Sequence, residues 1–289
     1  MRIKASELPL QPNGAIYHLN LHPEELADTI ILVGDPKRVE NISSRFDSIE
    51  VRHQNRELTA HTGLLKNKPI SVISTGMGTD NIDIVLTELD ALANIDFKTM
   101  EVKPEKRILK MVRIGTCGIL QPDIPIESFI ASEYSIGLDG LLQFYKHDNV
   151  CDEEMALAFT AHTEWHEQLP FPYAVQADQG LLQQIAYDMH LGITASAPGF
   201  YGPQGREVRA QLRFPSLKQK IESFCYNEKK MLNLEMESSA IYGLGKLFGH
   251  KTLTCCLGIA NRVTNEFSAD YHKAMDRLID TVMGRIIEN

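Results

Sequence analysis

Residues 29–38 read TIILVGDPKR, an apolar run followed directly by a glycine-led turn. The run predicts a buried strand, and apolar residues at helical spacing beyond the turn predict a helix. Gly34 lets the backbone approach an anion, the helix N-terminus supplies N–H donors, and Arg38 adds a fixed positive charge. The stretch alone favours an ordinary turn, in which Asp35 caps the helix, Pro36 starts it and Arg38 is solvated.

The pattern of strand, glycine turn and helix recurs at PISVIS, residues 69–74, which precede TGMGTDN and a helical segment. A third apolar strand, residues 108–114, leads into GTCG and contains Arg113. A charge inside such a strand is costly to bury unless it is paired. Arg113 therefore either faces water at an edge or points at an anion at the carboxyl end of the strand. The alternation predicts one α/β domain over residues 1–289, with no linker.

Composition excludes several classes of function. The chain has 289 residues and a net charge of −9, which argues against a general binder of nucleic acid or membrane surfaces. Its five cysteines are scattered and form no C-x-x-C pair, so we expect a reducing cytoplasm and neither a disulfide framework nor a zinc site. The sequence shows no signal-peptide core and no run of membrane-spanning length.

Two segments depart from the alternation. Residues 1–28 are expected to form an N-terminal arm ahead of the first core strand. Residues 146–172 are polar and rich in His and Glu, which predicts a surface insertion with solvated histidines and no metal site.

Two later motifs carry polar groups suited to a ligand. GFYGPQGR, residues 199–206, combines aromatic rings with Gln and Arg donors, which suits a planar heterocycle but also fits a loop with a hydrophobic anchor. LNLEMESSA, residues 232–240, is predicted to open a long helix that runs through Phe248. Its two acids either bind sugar hydroxyls or are ordinary acids at a helix N-terminus.

Taken in order, GDPKR, NRE, STGMG, RIGTCG, FYGPQGR and LEMES resemble the nucleoside phosphorylase family, and within it the members that act on uridine. The likeness extends from Tyr17-His18 to Asn261-Arg262. It implies a single-domain α/β fold of the nucleoside phosphorylase type, in which a mixed central sheet or distorted barrel is flanked by helices. It also implies a homo-oligomer, at least a dimer and in bacterial relatives often a hexamer, because two site residues must come from a neighbouring subunit.

The resemblance assigns the site residues in three groups. The residues implied at the phosphate are Gly34, Arg38, Arg113, Thr116 and, from the neighbouring subunit, Arg56. The residues implied at the ribose are Glu235, Met236, Glu237 and, from the neighbour's arm, His18 at the 5′-hydroxyl. The residues implied at the base are Phe200, Gln204, Arg206 and Arg262.

The implied activity is the reversible phosphorolysis of uridine to uracil and ribose 1-phosphate, a pentosyl transfer of pyrimidine salvage. Arg113 would hold the attacking phosphate in line, and Glu237 would fix the sugar hydroxyls. Gln204 and Arg206 would stabilise the negative charge that builds on the departing base. Phosphate is a co-substrate, and the resemblance implies neither a metal nor a cofactor.

A monovalent cation lies between subunits in some relatives. The residues in the matching region here are Glu57, Met77 and Asn81, and Asn81 stands where such sites use a serine. The sequence therefore does not assign a cation.

Three other functions compete with uridine phosphorolysis. A purine nucleoside phosphorylase would place an Asp after the last strand, where this chain has GIANR, residues 258–262. A hydrolytic nucleosidase would have no need for the three arginines Arg38, Arg56 and Arg113. A non-catalytic nucleoside-binding module would lack one of those arginines.

Overall fold

The computed structural model describes residues 2–288. Its strands are β1 Thr29–Val33, β2 Ser48–Asn55, β3 Leu58–Leu65, β4 Lys68–Ser74, β5 Ile95–Asp96, β6 Glu101–Val102, β7 Lys110–Ile119, β8 Phe129–Gly137, β9 Tyr173–Gln176, β10 His190–Ser196, β11 Cys225–Tyr226, β12 Lys229–Glu235, β13 Lys251–Asn261 and β14 Glu266–Phe267. Its α-helices are α1 Pro36–Ser43, α2 Thr79–Asn94, α3 Glu153–Thr163, α4 Gln179–Ile185, α5 Leu217–Glu222, α6 Ser238–Phe248 and α7 His272–Ile287. Short 3-10 helices cover Pro23–Glu25, Leu141–Phe144 and Gly202–Gln204.

Five strands close into a mixed barrel in the order β7, β13, β8, β10 and β12, with β12 returning to β7. The pairs β7–β13, β8–β10 and β10–β12 are parallel, whereas β8–β13 and β12–β7 are antiparallel. Strands β1, β4, β3 and β2 extend the sheet outward from β7. The predicted α/β fold with a mixed sheet and distorted barrel is confirmed.

The opening stretch folds as its residues indicate. Strand β1 is buried from its second residue onward, and α1 follows it directly. The Asp35 carboxylate accepts a hydrogen bond of 2.9 Å from the Lys37 N–H, and Pro36 occupies the first helical position. Val39 and Ile42 are fully buried against the sheet. The glycine turn is therefore anchored on both sides, with its backbone at the carboxyl end of β1.

The acidic segment 232–240 does not open a long helix as predicted. Residues up to Glu235 belong to β12, which pairs with β10 and with β7, and α6 begins only at Ser238. The apolar residues Met231, Leu232 and Leu234 are buried in the barrel. Continuous burial on both faces suits a short internal strand, and the pairing partners that decide it lie far away in the sequence.

The polar stretch 146–172 includes α3, which is packed against the barrel. Phe159 is fully buried, with its ring centroid 5.7 Å from that of Trp165 and 5.1 Å from that of Phe224. In the arm, Ile16, Leu19 and other apolar side chains are likewise buried.

Within residues 2–288, every helix is too short or too polar to cross a membrane.

Phe159→Ala is expected to lower the free energy of unfolding by about 3–5 kcal/mol, because it removes a fully buried ring and leaves a cavity. Leu157→Ala on the same helix removes a side chain that is 59% exposed, and it should change stability by no more than about 0.5 kcal/mol. Urea denaturation of the two variants measures the difference. Equal midpoints would contradict the packed role of α3.

Candidate active site

A cavity of about 620 Å³ opens where the carboxyl ends of β1 and β4 meet the second half of β7 and the end of β12. Ten of the residues assigned from sequence line it: Gly34, Arg38, Arg113, Thr116, Phe200, Gln204, Arg206, Glu235, Met236 and Glu237. Three assigned residues lie outside its lining, namely His18, Arg56 and Arg262.

Arg113 is buried in the cavity wall and is paired with two acids, as a charge inside an apolar strand requires. Its Nη2 donates to a carboxylate oxygen of Glu237, and its Nη1 lies 3.3 Å from Glu235 Oε2. Burial opposes the charge, yet Glu237, with Cys256 and Glu235, raises the pKa of Arg113 above its usual value. Gly115 leaves the space this requires, because a Cβ there would lie 2.1 Å from Arg113 Nη1.

The two acids differ in what they hold. Glu235 accepts from the backbone N–H groups of Glu237 and Ser238 at 3.0 Å, and from the Ser196 hydroxyl, so it caps the start of α6. Glu237 accepts from the Gly78 N–H at 2.8 Å and faces the cavity. Burial raises the pKa of Glu237, and the charge of Arg113 opposes that rise. Glu235 therefore fits the interpretation as an acid at a helix N-terminus, and both acids also line the cavity.

Arg38 brings a second cation to the same end of the cavity. It is partly buried, and its Nη1 donates to the Ile114 carbonyl at 3.3 Å. Burial lowers the pKa of Arg38, and the charge of Arg113 lowers it further. The turns at Gly34 and Gly76 approach closely, since a Cβ on Gly34 would lie 3.3 Å from the Gly76 carbonyl oxygen. An anion held by both guanidinium groups would offset their repulsion.

The opposite end of the cavity carries the Gln and Arg of the glycine-rich loop. The Arg206 guanidinium lies over the Phe200 ring, 3.8 Å from its centroid, and donates to Gln204 Oε1 at 2.5 Å. Burial and the nearby charge of Arg262 lower the pKa of Arg206 to about 10, so the group is charged at neutral pH. An amide and a guanidinium thus lie side by side next to an aromatic face, as a planar polar heterocycle requires.

Arg262 supports this loop from behind. Its Nη2 donates to the Gln204 carbonyl at 3.2 Å, and its side chain packs along Gly118, where a Cβ would lie 3.3 Å from Arg262 Cγ. The structure therefore places Arg262 next to the base-end residues without bringing it into the cavity lining.

His18 and Arg56 lie together on the surface. Asn55 Nδ2 donates to the His18 carbonyl at 2.9 Å, and Arg56 follows Asn55 at the tip of the β2–β3 hairpin. Arg56 is exposed, takes a left-handed backbone (φ 54°), and makes no hydrogen bond or ion pair with any residue from 2 to 288. The next residue, Glu57, lines the chain's own cavity.

Other lining residues were not assigned from sequence. Ile259, Ala260 and Phe267 come from β13 and β14, and Phe267 is 67% exposed. A two-residue strand such as β14 leaves no periodic signal, so only the pairing with β13 identifies it. Within residues 2–288, no group of three or more His, Cys, Asp or Glu side chains is placed to hold a metal ion.

Comparison with known proteins identifies the class. The family model described as the phosphorylase superfamily matches residues 28–288, and the chain belongs to this family. A uridine phosphorylase of Thermococcus kodakarensis is 32% identical over 272 residues, which is 91% of this chain and 83% of the relative. A DeoD-type purine nucleoside phosphorylase of Colwellia psychrerythraea is 27% identical over 82% of this chain and 83% of the relative.

A solved structure is also similar over nearly the whole chain. It is a Trypanosoma brucei nucleoside phosphorylase described as showing uridine phosphorylase activity. The TM-score is 0.88 at 29% identity, over 98% of this chain and all of the other.

Arg113→Ala is expected to cost about 3–5 kcal/mol of stability at neutral pH, because it leaves two buried carboxylates without their cation. Without Arg113 the pKa of Glu237, already raised by burial, rises further. A group with a raised folded-state pKa stabilises below its unfolded pKa, and that contribution is lost as the pH rises through the folded pKa. The deficit should therefore shrink between about pH 7 and pH 5.

Urea denaturation at the two pH values measures this deficit, with the exposed Arg209→Ala as control. Arg113→Ala combined with Glu237→Gln should recover part of the loss at neutral pH. A deficit independent of pH, together with no recovery in the double variant, would contradict the pairing as the source of stability.

Proposed function

We propose that this protein is a pentosyltransferase that catalyses the reversible phosphorolysis of uridine to uracil and ribose 1-phosphate. The observation that carries the proposal is one cavity with a pair of cations, Arg38 and Arg113, at one end and the Gln204–Arg206 pair at the other. The names of the similar proteins, uridine phosphorylase from Thermococcus kodakarensis and the uridine-cleaving enzyme from Trypanosoma brucei, support the same activity.

The chemistry follows from this arrangement. A phosphate oxygen bound at Arg38 and Arg113 forms a bond to C1′ of the ribose, while the bond from C1′ to N1 of uracil breaks and its electron pair stays on the base. The guanidinium groups position the nucleophile, which supplies part of the rate by holding it in line. Glu237, which lines the same cavity beside Arg113, would face the positive charge that develops on the ribose.

Charge builds on the base as it leaves. The Gln204 amide and the Arg206 guanidinium can donate to the pyrimidine carbonyl oxygens and stabilise this negative charge in the transition state more than in the ground state. Hydrogen-bonding groups of this kind also reject bases that lack the matching edge. Phosphate is the co-substrate in this scheme, and the proposal includes no further cofactor.

The purine alternative lacks the group it needs. Protonation of a leaving purine would require an acid near the end of β13, where the chain has Asn261 and Arg262. The Asn261 amide donates to the carbonyls of Gln121 and Ile124, at 2.9 and 3.0 Å, and is unavailable for such a role. A hydrolytic nucleosidase would use water and gain nothing from two cations that face the same space.

We infer that the active site is shared within a homo-oligomer, at least a dimer. His18 and Arg56 lie outside the chain's own cavity but beside it, because Glu57 of the same hairpin lines that cavity. A two-fold interface at this hairpin would bring each protomer's His18 and Arg56 to its partner's cavity. We place the protein in a reducing cytoplasm, with which the five unpaired cysteines agree.

Purified protein is expected to release uracil from uridine only when phosphate is present, and the loss of uridine absorbance measures this release.

Arg38→Ala should raise the KM for phosphate roughly ten- to hundredfold, which corresponds to the free energy of a charged hydrogen bond. Lys37→Ala, at the exposed neighbouring cation, should leave it unchanged. Uracil release without phosphate would identify a hydrolase, and no release at all would refute the proposed function.

Complementation tests the shared site. Co-expressed Arg38→Ala and Arg56→Ala chains should recover about a quarter of wild-type activity at limiting phosphate, because half of randomly paired dimers are mixed and each mixed dimer has one complete site. Co-expression of Arg38→Ala with a chain that carries both substitutions provides no complete site and serves as the control. Equal activity in the two mixtures would mean that Arg56 serves its own chain, and about half of wild-type activity in the first mixture would mean that Arg56 has no role at the phosphate.

A further inference from the structure

A buried carboxylate interrupts the apolar inner face of α2. Ile82, Val85 and Leu89 on this helix are fully buried, and Glu88 beside them is only 5% exposed. An ionised carboxylate in such surroundings is destabilising unless hydrogen-bond donors surround it. The hydrogen-bond donors that surround the Glu88 carboxylate therefore indicate its role.

All the hydrogen-bond donors to the Glu88 side chain among residues 2–288 come from the N-terminal arm. The His18 N–H lies 2.9 and 3.1 Å from the two carboxylate oxygens, and the Leu19 N–H donates to Oε2 at 2.8 Å. His18 Nδ1 lies 2.6 Å from Oε1. Because a carboxylate oxygen accepts here, the proton of this contact sits on Nδ1, and in the tautomer that the contact selects Nε2 is the acceptor.

A second contact holds the same residue from the other side. Asn55 Nδ2 donates to the His18 carbonyl at 2.9 Å and to the Tyr17 carbonyl at 3.3 Å. His18 is thus fixed at its N–H, its carbonyl and Nδ1, whereas no residue from 2 to 288 bonds Nε2. Its side chain is 27% exposed and lies on the surface that also carries Arg56.

Backbone bonds alone would suffice to dock an arm. The bond to Nδ1 does something more, since it fixes the ring plane and the tautomer of a side chain that does not enter its own chain's cavity. Such control has a use only where Nε2 meets a specific partner atom. A hydroxyl that donates a hydrogen bond is the matching chemistry for an oriented acceptor nitrogen.

On the basis of the proposed function, we propose that Glu88 is a positioning residue that aims His18 Nε2 at the 5′-hydroxyl of the nucleoside in the partner's cavity. Glu88 thereby sets a preference for nucleosides with a free 5′-hydroxyl. A site built to bond a hydroxyl rejects the analogue that lacks it, because the oriented acceptor is then left unpaired. Glu88 touches no substrate and acts only through His18.

Kinetics with uridine and 5′-deoxyuridine test this role. In Glu88→Gln, one of the two carboxylate oxygens becomes an NH₂ group that cannot accept from the arm, so the ring loses its fixed direction. The KM for uridine should rise about tenfold with kcat little changed, the cost of one charged hydrogen bond. The kcat/KM for 5′-deoxyuridine should stay within about twofold of wild type.

Glu24→Gln, an exposed acid of the same arm, is the matched control and should leave both substrates unchanged. His18→Ala should show the same selective loss as Glu88→Gln, and adding Glu88→Gln to it should change the uridine KM no further. Glu88→Asp keeps the charge but shortens the side chain, and it replaces the Gln variant in the comparison where that variant does not fold.

Equal losses for both nucleosides in the Glu88 variants would reduce Glu88 to an anchor of the arm and overturn the inference. Unchanged kinetics would overturn it as well. A wild-type protein that releases no uracil from either nucleoside would refute the proposed function instead, which is a distinct result.

Discussion

The buried pairing of Arg113 with Glu237 and Glu235 is the interaction on which the rest of the site depends. It joins β7 to the turn between β12 and α6, and the same two acids hold the Gly78 N–H and the start of α6. The charges satisfy one another, which is the condition for burying any of them. One cluster therefore links β7, the starts of two helices and the end of the cavity that holds Arg113.

This pairing divides the work between the two cavity arginines. Arg113 is neutralised by its acids and held in place, so it offers preorganised donors and little unbalanced charge. Arg38 has no carboxylate within salt-bridge distance among residues 2–288, and burial together with the charge of Arg113 lowers its pKa. Under the proposed function, we therefore expect stability to depend chiefly on Arg113 and phosphate affinity to depend chiefly on Arg38.

Local patterns predicted the parts of this site, but not the way they meet. A charge in an apolar strand singled out Arg113, and the capped turn after β1 was readable from Asp35 and Pro36. The prediction that residues 232–235 belong to a helix is wrong, because their strand character depends on pairing with β7 and β10. The Glu88–His18 contact spans 70 residues, and no local pattern encodes it.

The hairpin of β2 and β3 shows why one chain holds only part of the proposed catalytic apparatus. At its tip Glu57 turns into the chain's own cavity while Arg56, in a strained left-handed conformation, turns out. Asn55 ties His18 to the same tip, so the outward group is a rigid unit rather than a loose arm. In the proposed dimer, the rigidity that Glu88 and Asn55 impose in one protomer serves binding in the other. Folding of one chain and substrate recognition by its partner then share the same hydrogen bonds.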